Sequence, residues 1–293
     1  MKPRDFFLLV VVCLVWASNN ILSKIVVSQW HVPPLFFTAV RFAIVVLATL
    51  PWLLPMPRPA WRILLIGLAM GGGSFGLMFI ALYWVSPSEA AIVVQACVPM
   101  TTLLSIFMLG ERIRWRRTLG ITLALIGVLM VAWKPGMALS TGMLFLLASA
   151  FMGSLGAVMM KQMDAVSPLR FQAWVGLTGL LVLAPFSLWT EPQGLERALA
   201  TGWPFVIGVL YAALITSVFA HTAYYWLIAR YEANLISALT LMTPLMTIVL
   251  GMQITGDKVD ARMIAGSLIA LAGVLIIILR TNRLAVAATQ EHS

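Results

Sequence analysis

Apolar residues run along almost the whole chain in stretches of about twenty, separated by short segments rich in charge, proline or glycine. A membrane-spanning helix needs about 20 apolar residues, so this pattern predicts an all-α integral membrane protein. We expect ten transmembrane helices, with ends defined to within a few residues. They fall near residues 6–27, 34–54, 61–82, 89–109, 116–134, 142–161, 168–189, 203–229, 233–252 and 262–281.

The composition supports this interpretation. The 293 residues are 61% hydrophobic and 10% charged, whereas soluble domains are roughly half apolar and a quarter charged. Too few charges are present to cover a water-facing surface. The net charge of +9 is interpreted as an orientation signal in the loops rather than as a nucleic-acid-binding surface.

The distribution of Lys and Arg predicts the orientation of the helices. With the N-terminus in the cytoplasm, thirteen of these residues lie on the cytoplasmic side. Four lie outside, namely Lys134, Arg197, Lys258 and Arg262. Positive charge is enriched in cytoplasmic loops, so we expect both termini inside and a multi-pass protein of the cell inner membrane. The first apolar segment lacks a small-residue cleavage signal and is interpreted as a retained helix.

Similar features recur in order at an offset of about 145 residues, and each half contains five predicted spans. The matched pairs are Pro99 with Pro244, Gly110-Glu111 with Gly256-Asp257, Gly120 with Gly266, Gly127 with Gly273, Lys24 with Lys161, and Pro34-Leu35 with Pro168-Leu169. Because five is an odd number, the second half must begin on the opposite side of the membrane. We therefore expect two inverted repeats, over residues 1–137 and 138–293, an arrangement typical of transporters.

The sequence resembles the EamA-type family of the drug/metabolite transporter superfamily over nearly its whole length, as two EamA units. In the first half the resemblance lies in Val15-Trp16-Ala17-Ser18-Asn19-Asn20, Val32-Pro33-Pro34-Leu35, Arg41-Phe42, Gly110-Glu111-Arg112, Gly120 and Gly127. In the second half it lies in Gly208, Tyr211-Ala212-Ala213, Arg230-Tyr231-Glu232-Ala233 and Pro244. The chain departs from the family pattern at Gly256-Asp257, where Gly-Glu is usual, and at Gly153, where many relatives have Trp.

This resemblance implies ten helices, cytoplasmic termini and export of amino acids or related metabolites. The sequence is similar to the cysteine/O-acetylserine exporters and, in architecture, to the aromatic amino acid exporters. Its expected partners are a small-molecule substrate and the lipid bilayer, with no nucleic acid and no cofactor, and the protein is expected to be a monomer or a homodimer.

Polar residues inside spans usually face a cavity or the bundle interior, because hydrocarbon cannot satisfy them. Three spans carry polar or proline residues at helical spacing: Trp16, Asn20 and Ser23; Gln95, Pro99 and Thr102; and Ser237, Thr240, Pro244 and Thr247. We predict that these stripes line a substrate cavity. Pro99 and Pro244 are hinge candidates, because a proline frees the carbonyl one turn earlier. Hydrogen bonding between helices is the alternative interpretation.

Aromatic residues and one histidine extend the predicted cavity. The candidates are Phe75 and Phe79 in the third span, and His221 and Tyr224 in the eighth. Such a lining suits zwitterions with apolar side chains, and a cationic group can lie over an aromatic face. A mid-span histidine can titrate near neutral pH, and a structural hydrogen bond is an equally good interpretation of His221.

Lys24 and Arg41 are the basic residues that lie within or near the early spans. Either could bind a carboxylate, but we favour snorkelling to the surface or tying of neighbouring spans. No Asp or Glu lies at the centre of a span, although proton-driven carriers often use such a carboxylate. We therefore expect a facilitative exporter.

The sequence leaves three other functions open. One is a carrier for nucleotide-sugars, lipid-linked sugars or cationic drugs, and a second is a structural subunit that transports nothing. A membrane enzyme acting on lipids is the third, and it would need clustered catalytic residues. His31, His221 and His292 are scattered, and Cys13 and Cys97 lie in separate apolar runs, so we predict no catalytic site, disulfide or metal site.

Overall fold

The computed structural model describes residues 1–109, 115–132, 140–160, 162–163, 166–231, 236 and 239–290 of the chain, and no β-strand occurs among them. The first half contains α1 (Pro3–Ser28), α2 (Pro34–Thr49), α3 (Ala60–Ala81), α4 (Pro87–Met108) and α5 (Trp115–Ala132). The second contains α6 (Thr141–Met160), α7 (Pro168–Thr190), α8 (Gly194–Thr201), α9 (Trp203–Leu210, Tyr211–Ala220 and His221–Arg230), α10 (Met242–Leu250 and Gly251–Thr255) and α11 (Ala261–Gln290).

Seven of these described helices are long and apolar enough to cross a membrane, namely α1, α2 with the turn that follows it, α3, α4, α6, α7 and α9. Three shorter apolar helices, at Thr118–Val131, Met242–Thr255 and Ala261–Ile277, coincide with the fifth, ninth and tenth predicted spans. The chain is therefore a helical, multi-pass membrane protein. Crossing by all ten segments remains a prediction, as does the boundary at 137/138, which lies outside the described residues.

Prolines mark where several helices begin. Pro3, Pro34, Pro87 and Pro168 each stand in the first turn of a helix, where the missing N–H costs no hydrogen bond and φ is already helical. Before Pro87, Ser86 also forms a reciprocal capping box with Glu89. These local signals explain why the predicted starts lie close to the observed ones.

Three of the described helices contain π-helical segments. They are Leu68–Phe75 in the middle of α3, Tyr211–Ala220 in the middle of α9, and Gly251–Thr255 at the end of α10. Under the proposed repeat, α3 and α9 correspond to each other. Such segments turn a helix slightly and often occur at functional sites. The sequence pattern does not distinguish them from ordinary α-helix, and they were not predicted.

Helices α5 and α11 pack against each other through four glycines. A Cβ atom on Gly120 would lie 2.9 Å from the carbonyl oxygen of Gly273, and one on Gly127 would lie 2.5 Å from that of Gly266. The two helices are antiparallel, because the early glycine of each meets the late glycine of the other. This reciprocal contact is what a two-fold relation between the helices produces.

The short helix α8 lies between α7 and α9 and was not predicted. Its Leu195 and Leu199 are exposed, and Gly194 packs against the ring of Phe36 in α2. Eight residues are too few to give a span-length apolar signal. The sequence analysis therefore assigned this segment to a loop.

A candidate substrate cavity between α1, α3, α4 and α10

A cavity of about 240 Å³ lies between four helices from both halves of the chain. Its walls come from α1, α3, α4, and α10 with the turn before it. The lining residues are Trp16, Asn20, Met78, Ala91, Val94, Gln95, Thr240, Thr243 and Pro244. The lining thus combines hydroxyl and amide groups with apolar and aromatic surface, which is typical of small-molecule sites.

Five of the residues predicted to form the site line this cavity. They are Trp16, Asn20, Gln95, Thr240 and the hinge candidate Pro244. The structure therefore brings together the polar stripes of the first, fourth and ninth predicted spans. Their role in binding remains a prediction.

The backbone departs from regular α-helix beside the cavity, within α4 and just before α10. Gln95 and Thr240 each precede a proline by four residues, so neither Pro99 nor Pro244 can donate an N–H to the carbonyl at that position. In α4 the segment Val94–Ala96 is a 3-10 turn. Before α10, Thr240 accepts a turn hydrogen bond from the N–H of Thr243, at 2.9 Å. Both candidate side chains thus lie where the backbone departs from regular α-helix.

Aromatic contacts join α9 to the cavity wall. The ring of Trp16 packs 5.4 Å from that of His221 and 5.1 Å from that of Tyr224. The Nδ1–H of His221 donates to the carbonyl oxygen of Thr216, at 2.7 Å. His221 and Tyr224 therefore support the wall from behind Trp16, and the ring of His221 is fixed by a backbone hydrogen bond.

Four other candidates do not line the cavity. The hydroxyl of Ser23 donates to the Asn19 carbonyl at 2.7 Å, and that of Thr102 donates to the Val98 carbonyl at 3.0 Å. Each hydroxyl is thus satisfied by its own helix, one turn back. The rings of Phe75 and Phe79 surround a buried arginine instead.

The sequence analysis missed four lining residues, Met78, Ala91, Val94 and Thr243. Thr243 follows Thr240 by three residues, so its helical spacing could have indicated it. The indole N–H of Trp16 and the hydroxyl of Thr243 are buried and have no hydrogen-bond partner. An unpaired buried polar group costs about 1–3 kcal/mol. A polar solute in the cavity would relieve this cost.

The two basic residues in the early helices tie elements together. The ammonium group of Lys24 donates to the carbonyl of Leu82, at 2.5 Å, and so links α1 to the segment after α3. Arg41 does not snorkel: its side chain is 1% exposed. Both its Nε and its Nη2 donate to the hydroxyl of Ser217 in α9, at 3.0 and 2.8 Å.

Carboxylates link helix ends outside the membrane-spanning segments. Asp257 follows α10 in a turn that Gly256 makes with a φ of 68°, and it accepts hydrogen bonds from the N–H and the hydroxyl of Ser88 at the start of α4. Glu191, just after α7, accepts the N–H groups of Leu35 and Phe36 at 3.2 and 2.7 Å. Burial raises the pKa of Glu191, and these two backbone donors offset part of the rise.

The described residues contain no group of three or more His, Cys, Asp or Glu side chains that could bind a metal ion. Cys13 and Cys97 are both free. The arrangement offers polar and aromatic contacts to a small solute rather than a set of reacting groups.

These features define a helical membrane protein with a small cavity among its helices that polar and apolar residues line together. The sequence profile of the EamA-like transporter family matches the chain twice, over residues 5–133 and 140–279. The chain therefore belongs to the EamA-like transporter family.

Several curated proteins are similar over most of their length. A "probable amino-acid metabolite efflux pump" of Salmonella typhimurium (strain LT2) is 27% identical over 286 residues, covering 94% of this chain and 95% of that protein. A protein of the same name from Escherichia coli (strain K12) is 22% identical, also over 286 residues, with the same coverage of each chain. An "uncharacterized inner membrane transporter", YedA, of Escherichia coli (strain K12) is 27% identical over 259 residues, covering 84% of this chain and 81% of that protein.

A solved crystal structure shares the fold. It superimposes with a TM-score of 0.65 at 19% identity, covering 97% of this chain and 99% of that chain. At this identity the similarity concerns the fold and carries no information about the solute.

Proposed function

We propose that the protein exports amino acids or related small metabolites from the cell across the inner membrane. The single observation that carries this proposal is the cavity shared by α1, α3, α4 and α10. Its volume of about 240 Å³ lies below the roughly 300–1,000 Å³ of drug-sized ligand sites, so it suits a solute of amino-acid size. Asn20, Gln95 and Thr240 offer hydrogen bonds to such a solute, and Trp16 offers an aromatic face.

The names of two relatives, both probable amino-acid metabolite efflux pumps, favour the same solute class and the outward direction. We extend the proposal to ten membrane crossings in two inverted halves, with cytoplasmic termini. The double match to one family profile and the reciprocal glycine contacts of α5 with α11 support the repeat.

Transport would proceed by alternating access, with the halves rocking about the shared cavity. The breaks before Pro99 and Pro244 are suitable hinges, because a carbonyl without its helical donor lets a helix bend at low cost. No Asp or Glu lies at a predicted span centre, which favours facilitative export down the gradient of the solute.

Counterflow in proteoliposomes with a panel of labelled amino acids tests the proposal. The wild type should accumulate at least one labelled amino acid against the same unlabelled solute, and Gln95→Leu should weaken this uptake at least about tenfold. Gln172→Leu is the control, because it makes the same chemical change at a buried glutamine that does not line the cavity. Absence of counterflow for every amino acid would contradict the proposal.

A further inference from the structure

The side chain of Arg41 is a positive charge enclosed within the helix bundle. It is 1% exposed and lies between α2, α3 and α9. Its Nε and Nη2 both donate to the single hydroxyl of Ser217, and that hydroxyl donates in turn to the carbonyl of Ala212, at 3.1 Å. The Nη1 atom is buried and has no hydrogen-bond partner.

The charge of Arg41 is poorly compensated by its surroundings. Among the residues that the structure describes, no carboxylate forms an ion pair with it. The nearest aromatic faces are those of Phe75 and Phe79, whose ring centres lie 5.3 and 5.9 Å from the guanidinium carbon. A buried charge without an opposite charge is strongly disfavoured, and contact with rings offsets part of this cost. The site is therefore suited to an anion.

The free edge of the guanidinium defines which anion fits. Ser217 occupies the edge formed by Nε and Nη2, which leaves Nη1 and the second N–H of Nη2 pointing away from it. This pair of parallel donors matches the two oxygens of a carboxylate. A single neutral oxygen can accept from two such donors, as Ser217 does, but only an anion also compensates the positive charge.

Two helices connect the surroundings of the guanidinium to the cavity wall. Phe75, which covers Arg41, is three residues before the lining residue Met78 on α3. Ser217 is four residues before His221 on α9, and the ring of His221 packs against the lining residue Trp16. Both helices pass through π-helical segments at this level. Phe75 is only half-buried and covers the guanidinium, so its ring is the group that would have to move for a solute to reach Arg41.

We infer that Arg41, positioned by Ser217, binds the carboxylate of the exported solute when Phe75 moves aside. This inference rests on the proposed export of amino-acid-like metabolites and assigns their carboxylate as the group that is recognised. The polar groups of Asn20, Gln95 and Thr240 then contact the rest of the solute. A solute without a carboxylate leaves the charge of Arg41 unpaired and is rejected.

Inhibition of counterflow by paired analogues tests the inference in wild-type protein. Each amino acid that the protein transports is compared with its own carboxamide, which keeps the size and the amino group but lacks the negative charge. We expect the carboxamide to inhibit at least about 100-fold more weakly, because a site built for a polar group strongly rejects the analogue that lacks it. Equal inhibition by the two analogues would overturn the inference.

Variants then test the assignment to Arg41. In Arg41→Gln the preference for the carboxylate should fall below about threefold. Arg41→Lys should retain part of the preference, because an ammonium keeps the charge but not the two parallel donors. Arg197→Gln removes an equal charge from an exposed position and should keep the full preference. A full preference in Arg41→Gln would overturn the assignment.

Two controls distinguish failure of this inference from a folding defect and from failure of the proposed function. Size-exclusion profiles in detergent show whether each variant folds, and if Arg41→Gln does not, Ser217→Ala takes its place with an expected loss of preference of about tenfold. An unchanged preference in folded Ser217→Ala would then overturn the assignment. If the wild type transports amino acids without preferring the carboxylate, this inference fails alone. If it transports no amino acid, the proposed function fails and the inference falls with it.

Discussion

Two helix contacts correspond to each other under the proposed repeat, that of α2 with α9 and that of α7 with α3. One of them encloses a charged side chain, whereas the other is close packing without a charge. Arg41 of α2 donates two hydrogen bonds to Ser217 of α9. When Pro34 is paired with Pro168, the position that matches Arg41 is Val175 of α7. A Cβ atom added to Gly71 of α3 would lie 2.5 Å from the carbonyl oxygen of Val175.

This difference separates architecture from specificity. Close packing of glycine against backbone stabilises a membrane helix pair without polar groups. A buried, incompletely paired arginine contributes little to stability and is better explained by what it can bind. We therefore expect changes in the α3–α7 contact to affect stability most. Changes in the α2–α9 contact should affect the choice of solute.

The largest effect on stability is expected from Gly71→Ala. The added methyl group would lie 2.5 Å from the Val175 carbonyl and 3.1 Å from Gly179, so α3 and α7 must separate. We expect a loss of about 3 kcal/mol, the upper part of the range for overpacking, seen as a lower midpoint of thermal unfolding in detergent. Gly208→Ala is the control, because its methyl group would have ordinary contacts from 3.4 Å. Equal midpoints for the two variants would contradict the proposed role of close packing.

A smaller effect is expected when Ser217 is compared with Ser74, since the two serines lie in the π-helical segments of α9 and α3. Ser217→Ala removes the acceptor of two guanidinium N–H groups, which should cost about 1–3 kcal/mol. Ser74→Ala removes the hydrogen bonds between Ser74 and Ser149 hydroxyls, at 3.3 Å, while the Ser74 carbonyl continues to accept from Ser149. That loss should cost about 0.6 kcal/mol, the average for such bonds in membrane helices. Thermal unfolding of both variants measures the difference, and a larger loss in Ser74→Ala would contradict the comparison.

The smallest effect concerns the junction of α7 with α2. Burial raises the pKa of Glu191 in the folded protein. There is therefore a pH interval in which the Glu191 carboxyl is protonated in the folded protein but ionised in the unfolded chain. Stability from this group is therefore greatest at low pH and falls as the pH rises through that interval. Glu191→Gln should remove this slope in the unfolding midpoint.

Glu196→Gln is the matched control for this pH profile, because it makes the same chemical change on the exposed surface of α8. Its profile should follow that of the wild type. A wild-type slope that persists in Glu191→Gln would assign the pH dependence to another group.

Much of the architecture was predictable, because a span needs a long apolar run and prolines mark helix starts. Five cavity residues also followed from spacing. The spacing matched the glycines of α5 with those of α11 as repeat equivalents, but it did not predict that the two helices contact each other through them. The π-helical segments in α3 and α9 could not be predicted, because their apolar pattern resembles that of an α-helix. Ser23 and Thr102 do not line the cavity, because spacing identifies a helix face but not whether a hydroxyl bonds to its own backbone.

Arg41 shows a second limit of prediction. Its position within a span was evident, but its enclosure depends on Ser217, 176 residues away in the chain. A sequence pattern does not report such a contact between distant helices. The fold of the bundle determines that this arginine faces inward rather than towards the membrane surface.

Protection of an engineered cysteine by solute is the most direct test of the account. In a chain with Cys13→Ala and Cys97→Ala, the variant Thr243→Cys places one thiol in the cavity wall, and the rate of its modification by a soluble maleimide is measured. The account predicts that a transported amino acid slows this modification at the concentration that half-saturates counterflow, while Thr190→Cys, at the exposed end of α7, is modified at an unchanged rate. Transport that continues without any protection of Thr243→Cys would contradict the assignment of this cavity to the solute.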